Sequence, residues 1–285
     1  MNEQSPTQPT KKVIDYFSTK ESKWGYTLFL KGTKHFGYYP EGKENISIAE
    51  AQHLMEDKLA EKLSLPAKSL VLDAGCGEGK VAIYLAQKYG YNIKGVDLLD
   101  FSLQKANEEI TNLGLSNKIE VKQGDYSKLE FADNTFDGAY TMETLVHVAN
   151  YKDALNGFYR VLKPGGKLVL FEYSLRNWDK FTPKQQEMGK LIIEESGMHA
   201  LPHFQDGTFK TLLKETGFTN IFIEDATQRI MPMLKIFYKN AVVPYQIIKL
   251  LGLQKKFVNT TSAVEGYKMI QTGNYGSYNI ISAIK

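Results

Sequence analysis

Cysteine is almost missing from this 285-residue chain: Cys76 stands alone. One thiol excludes an internal disulfide framework and suits a reducing compartment. An excess of one charge is missing too, with 35 Lys and Arg against 32 Asp and Glu. That balance, without any long Lys/Arg block, argues against a nucleic-acid partner. No run approaches the ~18 uninterrupted apolar residues of a spanning helix. The opening residues, MNEQSPTQPTKK, lack the apolar core of a signal peptide, so the expected location is the cytoplasm.

What is present is ordinary globular-enzyme composition, 42% hydrophobic and 24% charged. Residues 1–11 are Gln/Pro/Thr-rich and read as a disordered tail. The remainder, 12–285, reads as a single catalytic domain. Residues 12–66 form an aromatic-rich helical cap, including ISIAEAQHLMEDKLAEKLSL with Ser47 as helix cap. Strands and helices then alternate. SLVLDAG, NIKGVDL, KIEVKQG, FDGAYTM and GKLVLFEYS read as strands, separated by helices such as KVAIYLAQKYG and YKDALNGFYRVL. Uninterrupted apolar strands between helices indicate an α/β fold with a parallel sheet covered on both faces. Ser174 to Asp206 reads as a polar, loop-prone stretch before the helix TFKTLLKETGF and the strand TNIFIED. The core is therefore expected over 67–226 and 277–285, with residues 227–276 inserted before the last strand as a helical lid.

The loop VLDAGCGEGK places Gly75, Gly77 and Gly79 between the first strand and its helix, where glycine lets a ligand approach the main chain. The spacing is G-x-G-x-G, not the G-x-G-x-x-G of a dinucleotide site. Asp73 precedes the loop; it would repel a pyrophosphate but can hold a cationic amino group. Asp97 ends the second strand, where a carboxylate can accept ribose hydroxyls. Asp125 ends the third, with Tyr126 beside it to face an adenine ring, and LKPGGKL makes a tight turn before the fifth strand.

In that order and spacing, Leu70 to Tyr173 resembles the class I S-adenosylmethionine-dependent methyltransferases. The resemblance implies a Rossmann-like, seven-stranded, mostly parallel sheet with an antiparallel last strand. It also implies S-adenosyl-L-methionine bound by Asp73, Gly75, Gly77, Asp97, Leu98, Asp125, Tyr126 and Thr141. HFGYY, His35 to Tyr39, resembles the aromatic segment that these enzymes place over the donor, which adds Tyr38 to the expected cofactor site. YTMETLVH is similar to the Tyr-x-x-Glu-x-x-x-His motif of the sterol C-methyltransferases, matched by Tyr140, Glu143 and His147.

Methyl transfer to an alkene leaves a carbocation, which aromatic faces stabilise and a carboxylate or imidazole deprotonates. The reading that follows is C-methylation of a lipophilic, isoprenoid- or sterol-like acceptor, with Tyr140, Glu143 and His147 as catalytic residues. N- or O-methylation of a small metabolite is the alternative; a nicotinamide oxidoreductase and a non-catalytic donor-binding module are weighed beside it. Glu143 can equally hold the donor or the lid, and His147 can cap the following helix. His199 and His203 stand four apart, but Pro202 lies between them and no third ligand is evident, so no metal is expected. Every charge from Arg229 to Lys256 is basic, which reads as a solvated lid, a membrane-surface helix or a site for an anionic substrate.

Overall fold

The computed structural model describes residues 8–273 and 276–285. Seven strands form one sheet: β1 (Leu70–Ala74), β2 (Asn92–Asp97), β3 (Ile119–Gln123), β4 (Phe136–Met142), β5 (Leu162–Leu175), β6 (Thr219–Asp225) and β7 (Gly276–Ile284). Their order is β3-β2-β1-β4-β5-β7-β6, with β7 antiparallel to both neighbours. The class I methyltransferase topology anticipated from the glycine loop and strand-end acids is the one present.

The apolar runs are continuous because successive residues feed two different cores. On β5, Leu168 and Leu170 enter one cluster while Val169 and Phe171 enter the other. Helix α3 (Ile48–Leu63) covers one face through Ala51, Met55, Leu59 and Leu63, one stripe at helical spacing. Ser47 caps it by accepting from Glu50 N–H. Helices α4 (Lys80–Lys88) and α5 (Asp100–Asn112) follow β1 and β2. On the opposite face, α6 (Tyr151–Val161) buries Ala154, Leu155, Phe158 and Val161. Each such fully buried large side chain contributes about 1.5–3 kcal/mol relative to exposure.

Sheet order reverses between β1 and β4, so a crevice opens beyond their carboxyl ends. Two covers close over this edge of the sheet, the first above the crevice and the second above a neighbouring cavity. One is N-terminal: α1 (Gln8–Ser18) and α2 (Lys20–Leu30). The tail expected through Lys11 therefore gives way to helix from Gln8, since a proline in a first turn loses no intrahelical bond; residues 1–7 lie outside the described residues, as do the side chains of Trp24, Tyr26 and Phe29.

The second cover is C-terminal. The stretch read as loop from Ser174 instead contains α7 (Pro183–Glu195), started by a capping box between Thr182 and Gln185. After α8 (Thr208–Thr216) and β6 come α9 (Thr227–Leu250), α10 (Val258–Thr261), a π turn at Ser262–Gly266 and α11 (Tyr267–Gly273). Pro232 and Pro244 lie inside α9 without ending it. The packing of Ile230, Met233, Leu234, Tyr245 and Ile248 holds that helix together through both prolines.

Candidate active site

The crevice is lined by the turn after β1, the ends of β2 and β3, and the segment after β4. Asp73, Gly75, Gly77, Asp97, Leu98, Asp125, Tyr126, Glu143 and His147 all face it. Gly77 sits at φ +53° with open space where a Cβ would project, so a ligand can lie against the bare backbone there. Asp97 orders this loop: one carboxylate oxygen accepts from Gly77 N–H at 2.8 Å and the other from Leu99 N–H at 2.9 Å. Asp73 is almost wholly buried, and its Oδ2 lacks a hydrogen-bond partner. Burial pushes its carboxyl up to about 7, with nearby Tyr140 opposing. A buried carboxylate short of one partner fits a cationic amino group. The donor set therefore suits S-adenosylmethionine.

Three expected site residues do not reach the crevice. Tyr140 pairs in register with Asp73 but packs beneath it, fully buried in the core. Thr141, its neighbour on the strand, points to the other face and reaches Glu172 at 3.5 Å. Tyr38 turns away to lie under Lys58, 5.4 Å from its ring centroid. The backbone dictates this turn: Gly37 is wedged so close to α3 that a Cβ would come within 2.5 Å of Ala51 Cβ. His35, one turn of the chain earlier, lines the crevice in its place.

Glu143 forms the partition between the crevice and a second cavity. Its Oε1 accepts from Phe36 N–H at 2.7 Å and from Tyr278 OH at 2.8 Å, while Tyr173 OH donates to Oε2. Tyr173 and Tyr278 are direct cross-strand partners on β5 and β7. Burial raises the Glu143 carboxyl above its usual range, and these donors oppose the rise. The residue also holds φ +61°, a strained position for a non-glycine residue. Its geometry is that of a latch that ties the N-terminal segment to the sheet.

His147 Nδ1–H donates to the Gly197 carbonyl at 3.2 Å, which leaves Nε2 with the lone pair. The ring is packed by Phe17 and Tyr16 from α1, at 5.3 and 6.3 Å between centroids. Burial pulls its pKa down to about 4, so it is neutral and a weak base near pH 7. His35 differs. Its Nδ1 meets the Phe36 carbonyl at 2.9 Å and its Nε2 the Glu56 carboxylate at 3.4 Å. Both partners can accept, an arrangement that favours the imidazolium form. Burial disfavours that cation, but the Glu56 hydrogen bond and charge more than offset it and raise the pKa.

The second cavity lies under the lid, between α7, α9, the π turn and the ends of β5 and β7. Phe36, Trp178, Phe181, Ile230, Leu234 and Tyr267 are among its walls, and no charged side chain lines it among the described residues. Among the described residues no lid cation lines it, so an anionic substrate head group finds no cationic partner there. Tyr173, Tyr278 and Lys34, the last of them on the crevice wall, are site residues that sequence reasoning missed. Tyr173 stands at a strand end beside the crevice, a signal available in FEYS. Tyr278 starts an antiparallel strand, where strand-end reasoning does not apply.

Residues 72–170 match the family described as Methyltransferase domain. An S-adenosyl-L-methionine-dependent Diels-Alderase of Talaromyces variabilis is 39% identical, covering 90% of this chain and 89% of the relative. The chain belongs to the S-adenosylmethionine-dependent methyltransferase family. A sterol 24-C-methyltransferase of Kluyveromyces lactis is also similar, at 33% identity over 64% of this chain and 45% of that enzyme. Among solved structures, the [4+2]-cyclase SpnF superposes with a TM-score of 0.76 at 23% identity, over 99% of this chain and 97% of that one; at that identity the likeness speaks for the fold. As a family member the chain is an enzyme and its cofactor is S-adenosyl-L-methionine, as its loop and strand-end acids imply.

Proposed function

We propose that this family member is a pericyclase: it folds an apolar polyene in the cavity under the lid and accelerates an intramolecular [4+2] cycloaddition. The observation that carries this reading is the lining of that cavity. It holds aromatic and aliphatic side chains and no charged one among the described residues. A cycloaddition suits such walls because no proton, leaving group or methyl moves. Three π bonds of a diene and an alkene become two σ bonds and one π bond. The barrier is largely the cost of bringing two ends of a flexible chain into register, which a shaped cavity removes in advance. The relative named as a Diels-Alderase supports the same chemistry.

When bound, S-adenosylmethionine would supply a sulfonium cation and an activated methyl. In this reading Asp73 accepts its amino group, Asp97 its ribose hydroxyls, and Asp125 with Leu98 and Tyr126 frames its adenine. Glu143, Tyr173 and Tyr278 keep the partition closed, and His35 and His147 hold the N-terminal cover over the crevice.

C-methylation of an isoprenoid- or sterol-like alkene is the second reading. It is favoured by the Tyr140-Glu143-His147 spacing and by Glu143 standing between the two cavities. One assay separates them. The purified protein with S-adenosylmethionine is incubated with synthetic linear polyenes carrying a diene and a tethered carbonyl-activated alkene, and in parallel with prenyl and sterol alkenes. Products are read by mass spectrometry. Cycloaddition gives a product of unchanged mass and no S-adenosylhomocysteine. A product heavier by one methylene, with S-adenosylhomocysteine in equal amount, sinks the pericyclase reading.

A further inference from the structure

The outer half of α9 carries a surface that neither cavity uses. Val243, Ile247 and Leu250 lie at helical spacing on one face, with Leu251 just beyond the helix, and they are 71%, 60%, 86% and 62% exposed. Tyr245 and Ile248, on the opposite face, are 1% and 8% exposed. The helix is thus seated firmly on the protein while it presents a second apolar stripe outward. Four large aliphatic side chains in one exposed patch need a partner, because water penalises them together.

Charge says which partner. Lys239 and Lys249 are exposed on the same helix, and Lys255 and Lys256 are exposed on the turn that follows. No Asp or Glu occurs between Asp225 and Glu265. An apolar stripe on a helix and turn whose only charges are basic matches a helix lying in the plane of an anionic lipid surface, with aliphatic side chains among the acyl chains and ammonium groups at the head groups. A second copy of the chain would bring the same lysines against these, which electrostatics opposes. No described helix is long and apolar enough to cross a membrane, so the contact is peripheral.

We propose that the protein docks on anionic membranes through the stripe Val243–Ile247–Leu250–Leu251 and its flanking lysines. The proposal stands whichever reaction the site performs. The same helix walls the lidded cavity through Ile230 and Leu234 in its inner half, so one element carries both the cavity wall and the docking stripe.

The test is flotation of the full chain, loaded with S-adenosylmethionine, with two kinds of vesicle. One is phosphatidylcholine with about a third phosphatidylserine, the other phosphatidylcholine alone. The parent should float with the anionic vesicles and detach as salt is raised. The double variant Ile247→Glu, Leu250→Glu should bind at least about tenfold more weakly, and Lys255→Glu, Lys256→Glu should lose the preference for anionic lipid. All four positions are exposed, and unchanged donor binding in calorimetry confirms that the variants are folded. No binding to either vesicle overturns the proposal, as does a double variant that floats like the parent. A parent that sediments as a dimer while the double variant is monomeric assigns the stripe to a second copy and overturns it as well.

Discussion

Glu143, partly buried, and Asp73, almost wholly buried, are acids at strand ends with opposite hydrogen-bond surroundings. Glu143 accepts hydrogen bonds from Phe36 N–H, Tyr278 and Tyr173. Glu143→Gln keeps the shape but presents an amide that must turn donors toward donors. The expected outcome is a loss of about 1–3 kcal/mol in stability by thermal unfolding, with donor affinity changed little. Abolished donor binding in calorimetry would place the carboxylate in the cofactor site instead. Asp73 has an oxygen to spare, and burial lifts its carboxyl to about 7 from an ordinary 3.8. Because its native value is raised, the group is protonated in the folded protein below about 7 and anionic above it. A cationic amino group needs the anion. Donor affinity should therefore climb as pH rises toward about 7 and level off beyond it, with a proton released on binding at pH 6. Calorimetry in buffers of different ionisation enthalpy checks this, and a flat pH profile refutes it.

At the scale of elements, the two covers are fastened to each other. The Glu21 carboxylate on α2 accepts from Asn259 N–H at 3.1 Å and from Thr260 N–H at 2.8 Å, two first-turn amides of α10. Asn259 also bonds Ser22 Oγ at 2.9 Å and receives the Tyr16 hydroxyl. A carboxylate at a helix start both satisfies orphan donors and meets the positive end of the dipole. Glu21→Ala should cost about 1–2 kcal/mol locally and let the covers part. Hydrogen exchange is expected to quicken in both α2 and α10–α11, while the sheet stays protected. Equal exchange in parent and variant would show that the covers do not depend on this contact. No sequence pattern announces the Glu21 contact, since its partners lie more than two hundred residues away and only chain folding makes them neighbours. The cap of α3 by Ser47 was legible, because a cap and its amide are three residues apart.

For the molecule as a whole, the ligand belongs to the ledger of stability. The donor crevice joins β1, β2, β3 and the post-β4 segment to α1, so occupation ties the N-terminal cover to the sheet. At a donor concentration about a hundredfold above its dissociation constant, binding adds about 2.7 kcal/mol. For a domain of this size that raises the melting temperature by about 4–5 °C. Scanning calorimetry with S-adenosylmethionine should show the rise, and Asp73→Asn should shrink it. NADH should leave the transition where it is. A shift with NADH alone would mean that the G-x-G-x-G loop had been misread.

Sequence alone determined the alternation of strands and helices, the glycine loop, and the acids at the ends of β1, β2 and β3. These are local properties: strand periodicity, backbone freedom at glycine, and side-chain type at a chain reversal all act over a few residues. The same locality explains what went astray. Tyr140, Thr141 and Tyr38 sit in the right motifs, but side-chain direction was set elsewhere, by the strand pleat and by Gly37 pressed against Ala51. The partition of Glu143, Tyr173 and Tyr278 brings three strands together, and a neutral His147 follows from burial, which outweighs the opposing hydrogen bond to the Gly197 carbonyl. Burial and pKa depend on everything packed around a group. Only the tertiary structure could decide that the Tyr-x-x-Glu-x-x-x-His stretch builds a wall between two cavities, because the residues that engage its acid arrive from Phe36, Tyr173 and Tyr278, far apart along the chain.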